Sequence, residues 1–302
     1  MWTRSSGRSA KRQDVVPLSA ESTAVVLDST ADLQEGHGRP TWRVVPLYVR
    51  FGEAEALREY VDISSAEFYR RLRESDAPPK SSQPSPADFA AVFEELAGFE
   101  RILCLVLSSK LSGTFASAEL AAQEFGGRVR VLDSRVTSGG TVILADAIQR
   151  RLDRGTDDDE IDALVERFRR DRGLLFTVNT LEYLVRGGRV GKAAGLAGQL
   201  LSVKPILAFE DGEVAPLKRV RGRTKALGEL EQIFRDSTEG QDSPELHVGV
   251  GHAEAPEDCN ELVRRVRAAR PQASLDIVTT LGPVIATHGG PGTLGLFWYY
   301  DT

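Results

Sequence analysis

Residues 101 to 134 read RILCLVLSSKLSGTFASAELAAQEFGGRVRVLDS, and this stretch decides the fold. RILCLVLSS is a strand-length apolar run ending in serines, KLSG is a loop, TFASAELAAQEF is helical in composition, and VRVLDS is a second strand. Strand, helix and strand in succession make a βαβ unit, which implies a parallel sheet with right-handed crossovers. A hydroxyl-rich loop between the first strand and its helix, Ser108 to Phe115, has a counterpart loop upstream in SSQPSP, Ser81 to Pro86. So many Ser and Thr side chains at the ends of regular elements raise the question of what they bind.

The same rhythm extends outward. Upstream, VVLDST (Val25 to Thr30) reads as a β-branched strand, and WRVVPLYV (Trp42 to Val49) as another, confined by Pro46 to an edge or a bulge. ISSAEFYRRLRES carries Ser64 and Glu67 at capping-box spacing, with Phe68 and Leu72 on one helical face. PSPADFAAVFEELA has Ser85 as N-cap and Pro86 at the first helical position, and its apolar face is Phe89, Val92, Phe93 and Leu96. Downstream, GTVILADAIQRRLDRG predicts a helix stopped by Gly155, and DDDEIDALVERFRR a helix with Ile161, Leu164, Val165 and Phe168 in one stripe. Its leading acids sit where the helix dipole favours them, a simpler account than a metal site.

Beyond this point come LLFTVNTLEYLVRGGRVG, a Gly/Ala-rich segment, two strand-like runs joined at Asp211-Gly212, the strand HVGVGHA, a helix through Leu262, Val263 and Val266, and a final apolar segment. No internal repeat is visible. The reading is α/β in two lobes: an extension over residues 1–24, a Rossmann-like N-terminal lobe with a parallel sheet over 25–170, and a second α/β lobe over 171–302, with a ligand cleft between them.

Composition narrows the function. With 41% apolar and 27% charged residues the chain has the balance of a soluble globular protein, and no run approaches a membrane span. The basic N-terminus lacks the apolar core of a signal peptide, so a cytoplasmic protein is expected. A net charge of −6 with dispersed Lys and Arg argues against nucleic acid as a partner. Cys104 and Cys259 are separated by context as well as sequence, and His37, His247, His252 and His288 are scattered, so neither a disulfide nor a metal is expected. Gly290 to Gly295 fits GxGxxG in form, but too little chain follows for the helix and ribose-binding acid of a dinucleotide site. GGRVGKAAG misplaces the first glycine of a phosphate loop and has Ala193 where a metal-binding hydroxyl belongs. No cofactor is expected, and no ATP site. A serine hydrolase using Ser112 and His288 remains open, although KLSGT is not a nucleophile elbow.

The motifs that survive occur in one order over nearly the whole chain: DST, VVPL, YVDIS with EFY, SSQPSPADF, LSSKLSGTF, VLDS, YLVRGGRVG, LLSVKPIL with DG, and HGGPG. In this the chain resembles the DegV family of fatty-acid-binding proteins, which includes the acyl-binding subunit of bacterial fatty acid kinase. The resemblance implies a fatty acid held between two α/β lobes and phosphorylated to an acyl phosphate by a separate ATP-binding kinase subunit. It further implies carboxyl-binding positions at Ser81, Ser82, Ser112, Thr114 and His288, and basic positions for phosphoryl transfer or partner docking at Arg189 and Arg221. Ser81 departs from the pattern, which has Thr at the head of TSQPS; the hydroxyl is kept and the methyl that restricts its rotamer is lost.

These positions also make physical sense as a carboxylate site. Hydroxyls and helix N-termini can satisfy a carboxylate without burying a fixed counter-charge. Neutral donors leave it nucleophilic, while arginines at the rim would stabilise charge developing on a phosphoryl group. Phe115, Phe176 and Leu200 are candidates to line an acyl tunnel, and Asp28 and Thr30 read as a strand-end turn. A carrier of another amphipathic acid, without a kinase, is the third open reading.

Overall fold

The computed structural model describes residues 17–34, 36–75, 77–196 and 203–302. Its first sheet contains four parallel strands in the order β2-β1-β6-β7, where β1 is Thr23–Asp28, β2 Trp42–Val45, β6 Arg101–Val106 and β7 Val129–Asp133. The run that decides the fold explains the layers on either side. Along β6, Leu103 and Leu105 enter one apolar core, while Ile102, Cys104 and Val106 enter another. The second of these cores is filled by α2 (Pro86–Glu95) and α3 (Thr114–Ala122) through Phe89, Phe93, Ala118 and Ala121.

The first core is shared with the other half of the chain. Helix α4 (Gly139–Arg154) is buried on nearly every face, as expected of a helix held between two layers. With α5 (Asp158–Asp171) it lies between the parallel sheet and a six-stranded mixed sheet. That sheet runs β10-β9-β8-β13-β11-β12, comprising β8 (Gly173–Thr177), β9 (Val203–Glu210), β10 (Glu213–Arg221), β11 (Leu246–His252), β12 (Ser274–Thr280) and β13 (Leu294–Tyr300). Helices α7 (Arg223–Ser237) and α8 (Pro256–Ala269) cover its far face. A division near residue 170 separates the strands of the two large sheets, and the core between them is continuous.

A third, three-stranded antiparallel sheet, β4-β3-β5, is built from β3 (Tyr48–Phe51), β4 (Leu57–Arg58) and β5 (Pro79–Ser82). It corrects two sequence expectations. WRVVPLYV is two strands belonging to different sheets, broken at Pro46-Leu47, and Ser81-Ser82 is the end of a strand instead of a loop. This sheet and α1 (Ser65–Glu74) pack against α9 (Pro283–Gly289), so residues from both halves share a core of Val49, Phe68, Leu281 and Val284. The short helix α6 (Glu182–Arg186) packs against α9 as well.

Local signals hold with adjustments. Ser85 and Asp88 form the full reciprocal capping box. Ser64 caps α1 by accepting from Glu67 N, but the Glu67 carboxylate turns to Arg70 and Arg71. Asp211 and Gly212 have φ of 50° and 85°, the paired left-handed turn that matches strand twist. Asp157 caps α5, and Asp158 pairs with Arg101 and Arg130. The extension expected through residue 24 is shorter where described: Leu18 is buried and bridges Thr156, and β1 begins at Thr23. Residues 1–16 and Leu200 lie outside the described residues.

Candidate functional site

Between the lobes lies a cavity of about 360 Å³. Its lining includes Leu47 and Leu107, just past the carboxyl ends of β2 and β6, beside the β1/β6 switch point of the strand order, the place where open α/β sheets bind ligands. Asp28 fixes that switch point. Its Oδ1 accepts from Thr30 N and Oγ1, and its Oδ2 accepts from Leu107 N at 2.6 Å, joining the ends of the two strands. Burial raises the Asp28 carboxyl above its ordinary value, and these bonds oppose the rise. Asp28 and Thr30 are thus the structural turn that the sequence suggested.

Ser81, on β5, pairs opposite Val49 and presents its Oγ 2.7 Å from Nε2 of His288, in the last turn of α9. Ser112 stands before α3, and its Oγ is 2.9 Å from Oγ1 of Thr114 and accepts from Thr114 N. Ser81, Ser82, Ser112, His288 and Arg189 all line the cavity. Thr114 does not: it is wholly buried behind Ser112, where it orients that hydroxyl. Arg221 is also apart, exposed at the end of β10 away from the cavity lining. The structure therefore brings five of the seven predicted positions together.

The electrostatics of this end are those of a neutral donor set beside one fixed cation. Burial, and then the Arg189 guanidinium, push the His288 imidazole down to about 4, so it is uncharged at neutral pH. Its Nδ1 is buried with no hydrogen-bond partner among the described residues. The ring lies over Gly187, where a Cβ would fall 2.1 Å from Nδ1. Arg189 is held by two carbonyls, donating from Nε to Leu111 O at 2.9 Å and from Nη1 to Gly187 O at 2.6 Å. Ser112 and His288 are not paired as a nucleophile and base, since the hydrogen bonds of each go to other partners. No cluster suited to a metal ion is present among the described residues.

Sequence reasoning missed several parts of this site. Gln83 spans the two hydroxyl segments by donating to Ser117 Oγ at 3.0 Å, and it passes so close to Gly113 that a Cβ there would lie 2.2 Å from its Oε1. Ser108 is not part of the cavity lining; its Oγ donates to Gly212 O at 2.7 Å and docks the β9–β10 turn onto the first lobe. Helix α9 is clamped at its start by two buried carboxylates from the first half of the chain. Asp32 accepts from Gly282 N, Tyr60 Oη and Ser138 Oγ, while Glu59 accepts from Val284 N and Ser29 Oγ. Burial raises both carboxyls, and their mutual repulsion adds to the rise at Glu59. In sequence, the S/T/D pattern around DSTAD was a signal for a turn but not for this long-range clamp.

The remaining walls are apolar. Leu47, Leu107, Leu111, Leu174, Phe176 and Phe297 stand among them, so Phe176 takes the place expected of it, whereas Phe115 packs into the core beneath α3. Cys104 and Cys259 are both buried and unpaired. Among the described residues no helix is long and apolar enough to cross a membrane.

Comparison with known proteins agrees in sequence and in shape. Residues 22–301 match the family described as "Uncharacterised protein, DegV family". A fatty acid-binding protein of Thermotoga maritima is 36% identical over 285 residues, covering 90% of this chain and 95% of that one. The structure of a DegV family protein from Thermus thermophilus, described by its fatty acid binding, superposes with a TM-score of 0.85 at 40% identity, covering 92% of this chain and 99% of that one. A stearic acid-binding protein from Eubacterium ventriosum gives the same TM-score at 27% identity, covering 92% and 98%. The ordered motifs, the two-lobed α/β fold with its parallel sheet, and a match over nearly the whole length lead to one conclusion: this chain belongs to the DegV family.

Proposed function

We propose that the protein binds a long-chain fatty acid in the interlobe cavity and presents its carboxyl group to a separate ATP-binding kinase subunit, which converts it to an acyl phosphate. The observation that carries this reading is the polarity of the cavity: hydroxyls of Ser81 and Ser112 and an uncharged His288 at the mouth, with leucine and phenylalanine walls behind. The related proteins described as binding fatty acids, stearic acid among them, support the ligand class.

The chemistry follows from the donors. With the proton of His288 on Nε2, the ring donates to Ser81 Oγ and frees the Ser81 O–H to donate to a carboxylate, while the Ser112 hydroxyl donates from the opposite loop. Both donors are neutral, so the carboxylate keeps its nucleophilicity. The N–H groups of Arg189 not engaged with carbonyls would meet the phosphoryl group at the rim. Arg221, exposed at the end of β10 and away from the cavity, would meet the partner subunit. In the tail, about 0.8 kcal/mol per buried CH₂ gives a chain of roughly sixteen carbons on the order of 10 kcal/mol before ordering costs. Such a ligand should survive purification.

The first test is mass spectrometry of the organic extract of freshly purified protein, beside a Ser81→Ala/Ser112→Ala double variant. Near-stoichiometric fatty acid in the wild type, reduced in the variant, is expected. An empty cavity that also takes up no added fatty acid would overturn the reading. The kinase step is tested by adding ATP and a candidate kinase subunit to the loaded protein and trapping acyl phosphate with hydroxylamine; hydroxamate should form with the kinase and not without it.

A further inference from the structure

The cavity ends at an aromatic ring set among glycines. Thr293, Gly295 and Phe297 line it in the alternation of β13, and Tyr299, next on that face, is wholly buried against Phe168. Thr293 marks the mouth, because a Cβ at Gly289, next to His288, would fall 2.7 Å from its Oγ1. Phe297 is four residues farther along, roughly 14 Å at the rise of an antiparallel strand. Across from it in register stands Leu174 of β8, and Thr137 and Ser138, also in the lining, lead into Gly139, whose backbone lies against the ring.

Around this ring the chain gives up side chains. A Cβ at Gly139 or Gly295 would lie 2.9 Å from a ring carbon of Phe297, and one at Gly140, Gly249 or Gly251 would lie 3.5 Å away, in contact. None of the five has a positive φ, so backbone conformation does not call for glycine at any of them. Glycine within helices and strands is destabilising relative to alanine, and in a strand it often marks close approach of another group. At Gly139 and Gly295 the group approached is the Phe297 ring, whereas at Gly140, Gly249 and Gly251 the side chains of Val136, Ile277 and Leu281 stand closer still. Gly249 pairs directly with Phe297 across β11 and β13, and Gly251 pairs with Gly295; Ile277 and Leu281 fill the space beside them, 2.5 and 2.8 Å from where their Cβ atoms would be.

The geometry points to Phe297 as the residue that sets the length of acyl chain the cavity accepts, the volume of its ring being the depth that opens when the ring is removed. This inference rests on the fatty-acid reading of the cavity. Phe297→Ala should move the preferred chain to longer acids. Gly295→Val, which adds a branched side chain between the mouth and the ring, should move it to shorter ones.

The test is displacement of cis-parinaric acid by saturated acids from lauric to behenic, in wild type, Phe297→Ala, Phe297→Leu and Gly295→Val, with circular dichroism confirming the fold of each. In the wild type, affinity should rise with length and then break off. In Phe297→Ala the rise should continue past that break by roughly fourfold per added methylene, with Phe297→Leu showing a smaller shift in the same direction should the alanine variant fail to fold. Folded variants that all break off at the wild-type length would overturn the assignment. Wild-type protein that binds none of these acids would instead overturn the fatty-acid reading, and the length stop with it.

Discussion

Nε2 of His288 lies 2.7 Å from Oγ of Ser81, and this bond between residues 207 positions apart ties the last turn of α9 to the end of β5. Replacing Ser81 by alanine leaves the buried ring without that partner, a loss of about 1 to 3 kcal/mol for an unsatisfied polar group. Ser81→Ala should therefore melt at a lower temperature even without ligand and should bind fatty acid at least about tenfold more weakly. Ser81→Thr keeps the hydroxyl and should restore both. Thermal denaturation and ligand titration of the two variants check this; a Ser81→Ala protein that melts and binds like wild type would show that the bond matters to neither.

The same histidine makes stability depend on pH. Its folded value is depressed from the ordinary 6.5 to about 4, so the unfolded chain takes up this proton first as the solution is acidified. The stability associated with an uncharged His288 is fully present above about pH 6.5 and is lost as pH falls toward 4. A His288→Asn variant lacks this proton uptake. The gap in melting temperature between wild type and variant should narrow from pH 7 to pH 4.5, and a constant gap would mean that His288 titrates normally in the folded protein.

How much of this was legible in the sequence depends on the range of the interaction. The unbroken apolar run from Ile102 to Leu107 is a local pattern, and a strand without polar alternation is one covered on both faces, as β6 is by its two cores. Ser85 with Pro86 gave the start of α2 for the same reason. Pro46 gave only a weak point in a strand, because the sequence around it does not say that β2 and β3 join different sheets. The cavity-lining residues Ser81, Ser112 and His288 came from ordered motifs, and their meeting depends on α9 packing beside β5, a contact between distant parts of the chain. Gln83, Ser138 and Phe297 carried no such signal: a single polar or aromatic residue says nothing about which glycines it will pack against.

Gly212 is a position where local conformation and long-range packing coincide. Its φ of 85° is unfavourable for a side chain, and a Cβ there would lie 2.4 Å from Ser108 Oγ, the hydroxyl that donates to its own carbonyl. Gly212→Ala should therefore destabilise by about 1 to 3 kcal/mol through strain and loss of the interlobe bond. Ser108→Ala, which removes that bond and the longer one accepted from Lys110 N but adds no backbone strain, should lose less. Denaturant unfolding of both variants tests the order; if Ser108→Ala is the more damaging, the bond outweighs the backbone strain.

The carboxylates that clamp α9 predict a pH dependence opposite in sign to that of His288. Glu59 is raised from its ordinary 4.5 to about 8 by burial and by repulsion from Asp32, which is itself raised to about 7. The unfolded chain ionises these groups near pH 4, while the folded protein holds protons until about 7 to 8, so their contribution is fully present at low pH and is lost as pH rises through that window. Asp28, Tyr60 and Tyr69 also face the pair, and none brings a cation to offset the buildup of charge. Glu59→Gln retains an oxygen to accept from Val284 N and cannot ionise. Relative to wild type it should gain stability as pH is raised from about 5 to 8, read as a widening difference in melting temperature that levels off above that. Because Val284, Ile285 and His288 ride on this helix into the cavity, the wild type should also lose fatty acid affinity over the same interval more steeply than the variant. A difference in melting temperature that stays level across that range would mean that Glu59 is ionised throughout, held by its two donors despite its burial.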